Sequence, residues 1–128
     1  NSAAQILQLA ENVLSARIAF ARHNNKTAIE FLKKGVEIED ALAYDEPPAW
    51  FLPVRESLGG LLLLDRNYKE AERVFRADLE RNPRSGRSLF GLMESLKAQR
   101  KKSEAVTARK EFEDAWKSAD IKLKVGEL

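Results

Sequence analysis

The stretch that decides the fold reads Leu58-Gly59-Gly60-Leu61-Leu62, then Ala71-Glu72-Arg73-Val74-Phe75, and closes on Asn82-Pro83. Leu58, Gly59 and Leu62 share one face at helical spacing and predict a first helix. Ala71, Val74, Phe75, Asp78 and Leu79 predict a second in the same way. Arg66-Asn67-Tyr68 lies between them as the turn. Pro83 ends the second helix, because proline disfavours helical backbone at the residue before it. A hairpin of this size cannot bury its apolar face alone and needs neighbours.

Working outward, a second such unit follows without a gap. Ala105 stands 34 residues after Ala71. Leu89, Leu92, Met93 and Leu96 match the first-helix apolar positions, and Arg100-Lys101-Lys102-Ser103 makes the turn. A second helix is predicted from about Ser103 to Ser118, with Val106, Phe112, Ala115, Trp116 and Ala119 as its apolar side. This copy is degenerate, with Arg109 in the slot of Phe75 and no closing proline. Upstream, Ala16 takes the place of the first-helix glycine and His23-Asn24-Asn25 makes a turn. Asn25 is predicted as the N-cap of the next helix. Ala28, Ile29, Leu32 and Val36 continue the apolar stripe. The spacing from Ala28 to Ala71 is nine residues longer than 34, which places an insertion at Ala43-Tyr44-Asp45-Glu46-Pro47-Pro48-Ala49-Trp50-Phe51.

Together the three copies resemble the tetratricopeptide repeat (TPR) family over most of residues 9–119. The stretch from Tyr44 to Gly59 also resembles the C-terminal end of long bacterial TPR proteins. Arg55, where the family often has Trp, and Leu62, where it often has Tyr, depart from the pattern. The resemblance implies an all-α fold, a TPR-like solenoid of about three antiparallel helical hairpins forming a single domain over 1–128. Repeat one is expected at about 9–42, an extended junction at 43–51, repeat two at 52–85, repeat three at 86–119 and a tail at 120–128.

The resemblance further implies a concave groove lined by the first helices, which would bind a protein or peptide partner. By family register its walls are Val13, Arg17 and Phe20 in repeat one, Glu56, Gly60 and Leu63 in repeat two, and Arg87, Phe90, Glu94 and Lys97 in repeat three. Chaperone-binding members clamp a C-terminal carboxylate with Lys, Asn and Arg. The matching slots here hold Val13, Arg17, Ser57, Arg87 and Gly91, so that ligand is not expected.

The apolar and charged fractions, 44% and 33%, are those of an ordinary protein somewhat rich in charge. Net charge is +2, which implies no strong preference for polyanions. The second half is the more basic, and its Arg73, Arg76, Arg81, Arg84 and Arg87 are interleaved with Glu70, Glu72, Asp78 and Glu80. No stacking aromatics line the run, so nucleic acid is not expected as a partner. With no cysteine, disulfides and thiolate metal sites are excluded and the compartment is left open. No apolar stretch approaches the ~20 residues of a membrane span.

The one histidine, His23, falls in a turn and makes a poor metal candidate. Asp45-Glu46 reads as a helix start rather than an acid/base pair, and no serine has a base at recognisable spacing. No enzyme activity and no cofactor are expected. Ile6, Leu7, Leu9, Val13 and Leu14 in the first helix have no upstream repeat to cover them, and the abrupt start suggests a segment of a longer protein. The alternative function is structural self-association as a segment of a longer TPR solenoid, which would pair two copies through such a face. The tail Ile121-Lys122-Leu123-Lys124-Val125 alternates apolar and basic residues. It reads as an extended or frayed segment covering the last repeat, or as an edge for a second copy.

Overall fold

The computed structural model describes residues 2–45 and 53–117. Among these are six α-helices and no strand: α1 (Ser2–Ala21), α2 (Asn25–Asp45), α3 (Val54–Leu64), α4 (Tyr68–Arg81), α5 (Gly86–Ala98) and α6 (Lys102–Ala115). The chain is all-helical over the described residues. None of these helices is long and apolar enough to cross a membrane.

One turn geometry occurs three times, after α1, α3 and α5. His23, Arg66 and Arg100 sit in the left-handed region at φ 61°, 62° and 63°. Their N–H groups donate to the carbonyls of Phe20, Leu63 and Lys97 at 2.9, 3.0 and 3.0 Å. The next N–H groups, of Asn24, Asn67 and Lys101, donate to Ala19, Leu62 and Leu96 at 2.9, 2.8 and 2.9 Å. This pairing is the Schellman motif, which satisfies carbonyls orphaned at a helix end. Glycine usually occupies the left-handed position, and a non-glycine residue there costs about 1–2 kcal/mol.

Each turn also starts the next helix. The carbonyls of Asn24, Asn67 and Lys101 accept from Ala28, Ala71 and Ala105 at 3.1, 3.0 and 2.9 Å. All three alanines are buried. They sit one turn into their helices, where a larger side chain would wedge the hairpin apart, and so the turn geometry explains why alanine recurs there. The expected cap is one residue out of place: Asn24, not Asn25, accepts the Thr27 N–H on its side-chain oxygen at 3.3 Å.

Contacts group the chain into two compact units, one ending at Leu58 and the other beginning at Gly59. In the first, α1 lies against α2, around buried Leu9, Ala16, Ala28, Ile29 and Leu32. Val54 and Leu9 meet at Gly35. In the second, α5 contacts both α4 and α6, and Leu62, Phe75, Leu89, Leu92, Met93 and Leu96 are buried.

Two further expectations need correction. Val106 is 55% exposed, because Ala105 and Ala108 carry the buried stripe of α6 and Val106 lies one step round the helix from it. The junction expected at 43–51 is helical at its start, since α2 runs through Asp45. The rest of that junction, with Trp50 and Phe51, lies outside the described residues, as does the tail expected at 120–128. Residues 118 and 119, expected in α6, are outside them too.

Candidate functional site

The register places Arg87, Phe90, Glu94 and Lys97 at i, i+3, i+7 and i+10 on α5, hence on one face. Arg87 and Lys97 are exposed, and Phe90 and Glu94 are half-buried. Lys97 Nζ lies 3.6 Å from Glu94 Oε1. Phe90 packs on α6: its ring centroid is 5.6 Å from that of Phe112, which in turn stacks on Trp116 at 5.9 Å. The strip therefore offers an apolar ring held from behind, with charges of both signs along it.

The other candidate residues are placed less uniformly. In the first unit, Val13, Arg17 and Phe20 share a face of α1, with Val13 half-buried and Phe20 42% exposed. Glu56 on α3 is half-buried. Gly60 and Leu63, in the second unit, are buried, so they have little surface to offer a ligand. Of the clamp slots, Arg17 and Arg87 are exposed while Gly91 is buried.

Gly91 has a packing role that the register does not reveal. A Cβ on Gly59 of α3 would lie 2.5 Å from Cζ of Phe75, and one on Gly91 of α5 would collide with the same ring. The Phe75 ring tip is thus received by a glycine on α3 and another on α5. Phe75 itself is 0% exposed. A second feature missed in the sequence is the bidentate pair of Arg55 with Asp40, at 2.8 and 2.6 Å. The Arg55 guanidinium thus ties α3 to α2.

A polar network fixes α4 against the α5–α6 turn. Glu72 accepts from Arg76 at 2.9 Å, from Gln99 at 2.9 Å and from Lys101 at 3.0 Å. Burial alone would raise the Glu72 pKa. The hydrogen bonds from Arg76, Lys101 and Gln99, with the Lys101 charge, outweigh it and lower the pKa from 4.5 to about 2. A carboxyl with a lower folded than unfolded pKa stabilises fully above the unfolded value and loses that contribution as pH falls through the folded one. The melting-temperature gap between wild type and Glu72→Gln should therefore be widest above pH 5 and narrow towards pH 2. A gap that stays constant across that range would show that the charge of Glu72 contributes nothing.

No family model matches the chain, and no curated protein or solved structure matches it either.

Proposed function

We propose that the chain is a TPR-like solenoid segment that acts as a non-catalytic protein-interaction module. Its first helices would present a concave groove to a peptide or helix. The observation that carries this reading is the seating of Phe75 between Gly59 and Gly91. A second helix wedged between its own first helix and the next is how stacked hairpins bury a continuous core. The three equivalent turns support the same reading. The α5 strip supplies the chemistry: Phe90 as apolar anchor, and Arg87, Glu94 and Lys97 as flanking charges that would set orientation.

Phe90→Glu would disturb the contact with Phe112, so the test uses the charges. Peptides selected from a random display library on wild type should lose about tenfold in affinity on Glu94→Lys/Lys97→Glu, equivalent to ~1.4 kcal/mol. The circular dichroism of the variant should be unchanged. Peptides that bind wild type and variant equally would remove the groove from α5.

Self-association is the second reading, favoured by α1. Leu7, Leu14 and Ile18 are 65%, 59% and 46% exposed. Their spacing puts them on one helix face, and exposed apolar stripes of this kind mark contact surfaces. Sedimentation should then show concentration-dependent dimers that Leu14→Glu abolishes. A monomer at all concentrations would dismiss this reading.

A further inference from the structure

The face formed by α4, α5 and α6 within the second unit carries a cleft of about 470 Å³. Its floor is Leu79, Leu92 and Leu96. One end is bridged by Arg76 and Glu104, whose Nη2 and Oε2 are 3.2 Å apart. Glu80 on α4 and Glu111 on α6 stand further along the lining, exposed and without an ion-pair partner among the described residues. The helices alternate in direction through two tight turns, so α4 and α6 run the same way. The Glu80–Glu111 end is consequently the one where the chain leaves α6. Glu104, Thr107, Ala108 and Glu111 line the cleft at helical spacing, and Ala115 continues that stripe towards the exit.

We propose that this cleft is a docking site for residues 121–125 of the same chain. Three arguments select that occupant. The first is chemistry: Ile121, Leu123 and Val125 alternate with Lys122 and Lys124. In an extended segment this sets an apolar edge towards Leu79, the half-buried residue of the floor, while the lysine stems reach the rim carboxylates. The second is reach. The helix ends at Ala115, four residues or ~6 Å past Glu111, and residues 118–121 span up to ~13 Å when extended. Lys122 can therefore return to Glu111 and Glu80. The third is the modest floor. Leu92 and Leu96 are only 6% and 1% exposed, so a free peptide would gain little apolar burial here. A tethered segment needs little, because a short linker supplies a millimolar effective concentration. This inference does not depend on the groove reading.

The absence of cysteine makes a direct test available in the full chain. Thr107→Cys/Leu123→Cys places one thiol in the cleft and one on the segment. Arg109→Cys/Leu123→Cys places the first on the opposite side of α6 with nearly the same tether. Under a mild glutathione redox buffer, intramolecular disulfide formation should be at least about tenfold faster in the first pair. Adding Glu80→Lys/Glu111→Lys should bring it down to the control rate, and adding Lys122→Glu/Lys124→Glu on top should restore it. Equal rates in the two starting pairs would overturn the proposal. Disulfide-linked dimers from the first pair would overturn it in favour of a second copy's segment. Insensitivity to charge reversal would overturn the role of the rim glutamates.

Discussion

Phe75→Ala should be the most damaging single change in the second unit, with a loss of about 3–5 kcal/mol for the emptied ring volume. Against a usual total of ~5–15 kcal/mol, that brings the fold close to its limit. The reason is the position of the ring, which is 0% exposed and faces glycines on two different helices. The same geometry makes the reciprocal change harmful. Gly91→Ala gains about 1 kcal/mol of helix propensity. Its methyl would enter space the ring occupies, and overpacking of a closed core costs about 1–3 kcal/mol. A net loss is expected. Phe75→Leu removes the ring tip that meets the new methyl, so Gly91→Ala should be far less harmful in a Phe75→Leu background. Urea denaturation of the four proteins gives the coupling. Additive losses would show that the ring does not fill the space that the glycines leave.

The hairpin positions are legible in the sequence because two local signals coincide there. Apolar residues at helical spacing define the faces, and short polar stretches at 22–25, 65–67 and 99–101 interrupt them. The alanines that set the spacing are equally readable, since their burial follows from the turn itself. Tertiary pairings are not readable. Asp40 and Arg55 lie on different helices, and a single sequence holds no sign that they meet at 2.6 Å. Val106 shows a related limit. Its side chain suits a core, yet the small Ala105 and Ala108 take that role because α6 is buried along their stripe. The candidate site is legible only in part for the same reason. Register puts Gly60 and Leu63 with Glu56 on one helix face, but burial depends on what lies opposite, and both prove to be enclosed.

The joint between α4 and α5 rests on a buried polar pair, and its removal should have the second-largest effect. Ser88 Oγ donates to Asp78 Oδ2 at 2.5 Å; Asp78 is 8% and Ser88 0% exposed. The two ends being joined are capped locally. Asn82 N–H donates to the Asp78 carbonyl at 2.8 Å, and Ser88 N–H donates to Ser85 Oγ at 3.2 Å. The pair thus locks the last turn of α4 to the first turn of α5, and with it the direction in which α5 presents Arg87 and Phe90. Ser88→Ala deletes the donor and leaves an enclosed carboxylate without it, at a cost of about 1–3 kcal/mol. Asp78→Ala leaves the smaller deficit of one enclosed hydroxyl. With both groups replaced, nothing polar remains to be satisfied, so Asp78→Ala/Ser88→Ala should lose less than the sum of the single changes. Chemical denaturation of the three variants measures this directly. A strictly additive double mutant would mean that the two side chains do not depend on each other, and that the α4–α5 joint is held by apolar packing alone.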